Sequence, residues 1–181
     1  MELILHATST GPLRSALDEY WFKLPSDRVT SAQQWLPHAT IAKTIRTLSD
    51  VKADLDDHQV SEAKLMLEKI LGKYPHEERL QPSIDPLTNV HGASQFSFRC
   101  RQWLEIGNDF RREVQRAFQM DCEVETKQHI SVAWGTGFNA AFHNSLAIET
   151  LTSIPRDEDS WSIGLWSKLN GAWESQSLIP W

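Results

Sequence analysis

Apolar residues recur at helical spacing in four segments, where side chains three and four positions apart lie on one face. The first predicted helix follows Thr10-Gly11-Pro12 and ends at Pro25, and the second covers 61–71, with Ser61 as its cap and Gly72 as its stop. The third covers 103–118 and the fourth 139–151. Between the second and the third, 73–95 has no clear period, which is typical of a surface loop or a lid.

Short runs of apolar and β-branched residues predict strands between these helices. The predicted strands are 3–7, 35–45, a short one at 83–88, 96–100, 129–134, and a pair at 161–168 and 172–178. The last pair flanks Asn170-Gly171, a sequence typical of a type I′ hairpin turn. Counting back from that turn pairs Lys168 with Trp173. No linker in the chain indicates two separate domains.

Composition narrows the class of protein. The 181 residues are 40% hydrophobic and 23% charged, which fits one globular domain with a sizeable core and excludes a disordered tail protein. The net charge of −6 argues against an extended nucleic-acid coat, which needs many phosphate contacts from Lys and Arg. A nucleotide or an RNA end in a local site remains compatible with that charge.

The chain carries no feature of a secreted or membrane protein. No apolar run approaches the ~20 residues that span a membrane, and the N-terminus lacks the basic region of a secretory signal. Cys100 and Cys122 are the only cysteines, too few for a disulfide framework or a Cys-rich zinc site. We therefore expect a cytoplasmic protein without a membrane partner.

The candidate chemistry lies in two segments with one shared pattern. The first reads Pro-His-Ala-Thr-Ile-Ala around His38 and Thr40, and the second reads Gln-His-Ile-Ser-Val-Ala around His129 and Ser131. Side chains two positions apart on a strand face the same way, so each segment presents an imidazole beside a hydroxyl. If the two strands lie side by side, two imidazoles and two hydroxyls converge on one cleft.

This set of groups suits acid–base phosphoryl chemistry without a metal. One neutral imidazole takes a proton from the attacking oxygen while the other, protonated, donates to the leaving oxygen. The hydroxyls hydrogen-bond the non-bridging phosphate oxygens. The pattern leaves open which of His38 and His129 is the acid. A metal held by these histidines and an unseen carboxylate is the alternative.

Other motifs are weaker. His6 and His143 also begin a His-x-Thr/Ser match, but His143 lies in a predicted helix and His6 where the first strand is ending. A G-x-G-x-x-A match at 135–140 is followed by too few residues, ending in an antiparallel hairpin, to complete a dinucleotide fold, so we favour a plain strand-to-helix turn. Four aromatic side chains could stack on a base, although core packing or strand pairing is the more common role. They are Tyr20, Trp134, Trp166 and Trp173.

The two His segments resemble the paired His-x-Thr/Ser signatures of the 2H phosphoesterase superfamily. That family includes bacterial RNA 2′-5′ ligases, plant and fungal cyclic phosphodiesterases and the exonuclease that trims U6 RNA. The order of predicted elements is similar over most of the chain and least similar over 46–95. The resemblance implies an α+β fold over 1–181, a single domain of two pseudo-twofold lobes whose two antiparallel sheets flank a central cleft, with helices outside.

The resemblance also implies a function. His38 and His129 would be the acid–base pair, and Thr40 and Ser131 the phosphate ligands, with no metal and no cofactor. The expected activity is that of a hydrolase, a monomeric phosphodiesterase acting on a 2′,3′-cyclic phosphate or a short RNA or nucleotide phosphodiester. Gln128 stands where many members have Pro, a departure at the strand entry. The alternatives are a non-catalytic module that binds an RNA end or a nucleotide, and an unrelated transfer reaction on the same fold.

Overall fold

The computed structural model describes residues 2–34, 36–45, 56–90, 92–135, 138–151, 159–169 and 172–181. Over these residues the chain is α+β, with four α-helices and nine strands. The helices are α1 (Pro12–Phe22), α2 (Asp57–Leu71), α3 (Arg101–Phe118) and α4 (Ala140–Leu151). The strands are β1 (Leu3–Ser9), β2 (Ala39–Ile45), β3 (Ser83–Ile84), β4 (Thr88–Val90), β5 (Ala93–Arg99), β6 (Asp121–Val124), β7 (His129–Trp134), β8 (Trp161–Leu169) and β9 (Ala172–Pro180).

The strands form two antiparallel sheets. The first has five strands in the order β6-β2-β1-β8-β9. In the second, β5 lies between β7 on one edge and the short strands β3 and β4 on the other. The predicted hairpin is confirmed in its register, because Lys168 pairs with Trp173. Its turn, Asn170-Gly171, lies outside the described residues.

The two sheets share one apolar core. Trp161 on β8 packs edge-on against Phe98 of β5 and Trp103 of α3, with ring centroids 5.1 and 5.0 Å apart. All three side chains are almost completely buried. Rings of this size remove a large apolar area from water, at about 25 cal/mol per Å², so the cluster binds the sheets firmly together. Helices α2 and α3 pack on the first sheet, and α4 on the second with α1 beside it.

A buried carboxylate holds the N-terminus of α1. Asp159, just before β8, accepts hydrogen bonds from the Ser9 hydroxyl at 2.9 Å and from the Leu13 N–H at 3.1 Å. Burial raises the pKa of this carboxyl, and the hydrogen bonds oppose that shift. Gly11 must stay small here, because a Cβ atom would lie 2.6 Å from the Ser160 nitrogen. The contacts join the helix to the neighbouring strands.

Helix α2 begins earlier than predicted. The Asp56 side chain accepts from the Gln59 N–H at 2.8 Å, and the Gln59 side chain accepts from the Asp56 N–H at 2.9 Å. This reciprocal capping box satisfies two backbone N–H groups, so it stabilises a helix start at Asp57 more than a single serine would stabilise a start at residue 61. Ser61 is not the cap, and its hydroxyl donates to the Asp57 carbonyl within the helix.

Two strand predictions also need correction, and one strand was not predicted. The strand predicted at 83–88 is two strands, β3 and β4, which pair with different parts of β5. Strand β6 was not predicted, since its four residues alternate too briefly to give a pattern, and it forms by pairing with β2. Strand β1 does not end at His6, because it continues to pair with β8 as far as Ser9. Among the described residues, no helix is long and apolar enough to cross a membrane.

Candidate functional site

The structure brings all four predicted site residues to one cleft between the two sheets. Thr40 lies on β2 and His38 directly before it, whereas His129 and Ser131 lie on β7. The cleft has a volume of about 310 Å³. Its lining is Ile4, Ala32, His38, Thr40, His129, Ser131, Trp134 and Trp166. Side chains far apart in the sequence therefore meet at one solvent-accessible site.

Strand alternation places these side chains. On β7, Ile130 and Val132 are fully buried, while His129 and Ser131, which alternate with them, are half-buried and line the cleft. On β2, Thr40 is half-buried between two buried neighbours. The apolar face of each strand anchors it in the core, so the imidazole and hydroxyl face the cleft from a rigid support.

Each of the two strands has a β-bulge at the same position of its motif. In the β1–β2 pairing, Ile41 is the extra residue, and in the β5–β7 pairing it is Val132. Each follows directly after the hydroxyl residue of its motif, Thr40 or Ser131. The Val132 carbonyl accepts a hydrogen bond from the Trp21 indole at 2.9 Å. A bulge bends a strand and increases its twist, so both strands turn just after the motif side chains.

The two imidazoles are oriented in the same way. His38 Nδ1 lies 2.8 Å from the Leu36 carbonyl oxygen, and His129 Nδ1 lies 3.2 Å from the Lys127 carbonyl oxygen. A carbonyl only accepts, so Nδ1 carries the proton in both rings. Each ring thus has its Nδ1 held by the carbonyl two residues earlier. Nε2 is then the nitrogen that can exchange a proton with a ligand.

The environment favours the neutral form of His38. Burial lowers the pKa of His38, the hydrogen bond to the Leu36 carbonyl opposes this shift, and His129 across the cleft lowers the pKa further. Removing water from around an imidazole destabilises its charged form. His38 is therefore equipped to accept a proton near neutral pH.

A third histidine, which the sequence analysis set aside, lies against this site. The His6 ring centroid is 5.8 Å from that of His38 and 4.3 Å from that of Trp166, and the His38 and Trp166 rings are 4.4 Å apart. His6 is completely buried, and its Nδ1 is 3.2 Å from Thr8 Oγ1. Burial, with a contribution from His38, lowers the pKa of His6 to about 3, so this ring is neutral. The sequence signal that could have pointed to His6 is its own His-x-Thr match, His6-Ala7-Thr8.

Two of the four aromatic candidates line the cleft. Trp134, at the end of β7, is 39% exposed, whereas Trp166 is 6% exposed and packs on the histidines. Tyr20 hydrogen-bonds to His143 of α4. It is buried, and burial raises the pKa of its hydroxyl. The Trp173 side chain lies outside the described part of the structure. Of the two tryptophans that line the cleft, Trp134 is therefore the more accessible to a ligand.

Other candidate chemistries find less support. The strand that precedes Gly135 is antiparallel to its neighbour β5, and Thr136 and Gly137 lie outside the described residues. Cys100 and Cys122 are buried, and burial raises the pKa of each thiol, so neither is an activated nucleophile. In the described ranges no three side chains of His, Cys, Asp or Glu lie together as a metal site.

Comparison with protein-family models and with curated protein sequences finds no relative of this chain. No protein-family model matches the chain. No curated protein matches its sequence either. The functional interpretation therefore depends on the geometry of the cleft.

Proposed function

We propose that the protein is a phosphodiesterase that opens a 2′,3′-cyclic phosphate or cleaves a short RNA or nucleotide phosphodiester by two-histidine acid–base catalysis. One observation carries the proposal. The two His-x-Thr/Ser motifs face a single cleft, and each motif holds its imidazole and bends its strand in the same way.

The same observations support a pseudo-twofold arrangement of two lobes, as in the 2H phosphoesterases. One motif belongs to each sheet, and in each the bulge follows the hydroxyl residue. Since two unrelated strands rarely share motif, bulge position and ring orientation, a repeated half-site is the simplest explanation. We therefore propose membership of that superfamily.

The proposed reaction uses only side chains of the cleft. The neutral imidazole accepts the proton of a water molecule through Nε2 as the water oxygen attacks phosphorus. The protonated imidazole donates its Nε2 proton to the departing ribose oxygen, so the phosphodiester becomes a monoester. Thr40 and Ser131 donate hydrogen bonds to the non-bridging oxygens, which carry the charge of the transition state.

The apolar part of the cleft suits the nucleoside part of such a substrate. Trp134 offers an exposed ring, and Ile4 and Ala32 add apolar walls. Stacking on an aromatic ring tolerates any base, because every base has a π-face. A volume of about 310 Å³ is at the small end of ligand sites, which favours a nucleotide or a strand end over a long RNA.

The test is hydrolysis of the four 2′,3′-cyclic nucleotides in the presence of EDTA. We expect the wild-type protein to convert them to monophosphates, and His38→Ala and His129→Ala each to lose on the order of 10²–10⁴-fold in kcat. His58→Ala is the matched control, because His58 is exposed on α2 and does not line the cleft. Its turnover should equal that of the wild type.

Two results would count against the proposal. Full activity of either cleft variant would reject two-histidine catalysis. Binding without turnover, seen as a rise in Tm with cyclic nucleotide but no product, would favour the non-catalytic binding module instead.

A further inference from the structure

We propose that His6 is a positioning residue of this cleft, whose buried ring, together with Trp166, fixes the His38 imidazole as the proton acceptor of the reaction and leaves His129 as the donor. The inference rests on the proposed function and deepens it, because the repeated motif alone does not distinguish the two histidines.

The geometry places His6 directly against His38. In the β1–β2 ladder His6 is paired with Thr40, the hydroxyl residue of the first motif. Its ring touches both His38 and Trp166, and Trp166 also meets the edge of His38. His38 is therefore packed between two rings on its protein side, with Nδ1 held by Leu36. Few rotations of the imidazole remain.

The two histidines of the motif differ in these surroundings. His129 lies on β7, an edge strand of its sheet, and the ring contacts of the described residues place no aromatic side chain on it. His38 precedes β2, an inner strand, and is covered by two rings. The titratable groups that face His38 in the described structure are His6 from β1 and His129 from β7, while β8 contributes Trp166. Repeated motifs thus sit in unequal environments.

Unequal environments assign the roles. A ring that excludes water from His38 disfavours the imidazolium, so His38 begins the reaction neutral and can accept a proton. His6 is itself neutral and adds no repelling charge when His38 becomes protonated. Trp166, whose ring centroid is 4.4 Å from that of His38, is likewise uncharged. The two rings therefore keep the resting His38 imidazole neutral, and neither of them adds a positive charge that would repel the imidazolium formed in the step.

The first experiment follows the titration of His38 by NMR of the imidazole Cε1–H signals, assigned with His38→Ala. In the wild type we expect His38 to titrate below 6.5, the ordinary value for histidine. His6→Ala admits water behind the ring, so the midpoint of His38 should rise. His6→Leu, which fills a similar volume, should keep it low.

The second experiment measures kcat/KM against pH with a 2′,3′-cyclic nucleotide. A proton acceptor must be neutral, so its pKa sets the acid limb of the profile. If that pKa rises by one unit, kcat/KM decreases about tenfold at pH values well below the pKa and changes little at pH values above it. We expect His6→Ala to lose activity mainly on the acid side and His6→Leu to retain the wild-type limb.

A leaving group that needs no proton tests the assignment of the donor. The 4-nitrophenolate of a 4-nitrophenyl phosphodiester leaves without a proton. With this substrate the His129→Ala variant should lose much less activity relative to the wild type than it does with a cyclic nucleotide, whereas His38→Ala should lose as much with both substrates. The reverse pattern would overturn the assignment of roles.

His143→Ala is the matched control, because it also removes a buried imidazole, one that packs against Tyr20 and Phe138 rather than in the cleft. The variant should have a lower Tm, and the acid limb of its pH profile should not move.

Should His6→Ala not fold, Trp166→Phe gives the same test by shrinking the other ring over His38. An unchanged His38 titration and a pH-independent loss in these variants would refute the positioning role. If the wild type hydrolyses no diester, the proposed function fails, and the NMR titration still decides the role of His6.

Discussion

Gly164 offers a test of the packing behind the cleft with a single methyl group. Gly164 on β8 is paired with His6 on β1. A Cβ atom at this position would lie 2.8 Å from both Cε1 and Nε2 of His6, and 2.8 Å from the Ser177 carbonyl oxygen. Comfortable contacts between such atoms are about 3.5 Å or longer, so Gly164→Ala must displace the His6 ring, the β9 backbone, or both.

The expected loss of stability follows from that overlap. Overpacking of a rigid core by one methylene costs about 1–3 kcal/mol. For a chain of this size each kcal/mol lowers Tm by about 2–4 °C, so a 2 kcal/mol loss lowers it by roughly 4–8 °C in a thermal denaturation experiment. The double variant with His6→Ala should show coupling of about 1 kcal/mol, because the removed ring accounts for two of the three close contacts.

Gly72→Ala is the control for this experiment. Gly72 ends α2 with φ of −62°, which any residue adopts, and its nearest contact is the Glu68 carbonyl oxygen at 3.3 Å. Such a replacement is neutral or stabilises by up to about 1 kcal/mol. An unchanged Tm for Gly164→Ala, or additive losses in the double variant, would show that His6 does not pack against β8 as described.

Four further outcomes follow from the structure. Burial lowers the His6 pKa to about 3, so below pH 6.5 the unfolded chain binds a proton that the folded chain does not. The contribution of His6 to the free energy of unfolding should therefore decrease as the pH falls, by about 0.7 kcal/mol per pH unit near pH 6.5 and by nearly 1.4 kcal/mol per pH unit near pH 5, and His6→Leu should remove this contribution in urea denaturation. Thr40→Val and Ser131→Ala should each lower kcat for a cyclic nucleotide by about 10²-fold with little change in Tm, and equal turnover would exclude them as phosphate ligands. Trp134→Ala should raise KM about tenfold at nearly constant kcat, since stacking contributes about 1–3 kcal/mol, and an unchanged KM would place the base elsewhere. Asp159→Ala should lower the free energy of unfolding, measured by chemical denaturation, by about 2–4 kcal/mol, because the Ser9 hydroxyl and the Leu13 N–H lose their acceptor. Asp159→Asn keeps one acceptor oxygen and should lower it less.

The parts of the fold that local pattern specifies were predictable. Helices α1 and α3 each carry an apolar face, and the hairpin carries a turn sequence with few alternatives. The placement of an imidazole and a hydroxyl on the same face of each motif followed from the side-chain period of two. These features depend on residues close together in the chain.

The remaining features depend on distant partners. His6 has the same local motif as His38, and only contact with Trp166, remote in sequence, makes it part of the site. Strand β6 exists because β2 offers an unpaired edge to it. The bulges at Ile41 and Val132 are defined by the register of a neighbouring strand. A single segment carries no record of such pairings, so its pattern could not predict them.

The contact of Trp161 with Phe98 has a consequence for ligand size. His38 precedes a strand of one sheet and His129 lies on a strand of the other, so the gap between the imidazoles changes whenever the sheets shift against each other. The aromatic contact lies where the sheets meet, away from the cleft. Substitution there alters the width available to a ligand without removing any group that touches it. Interior residues that do not line the cleft can therefore influence its width.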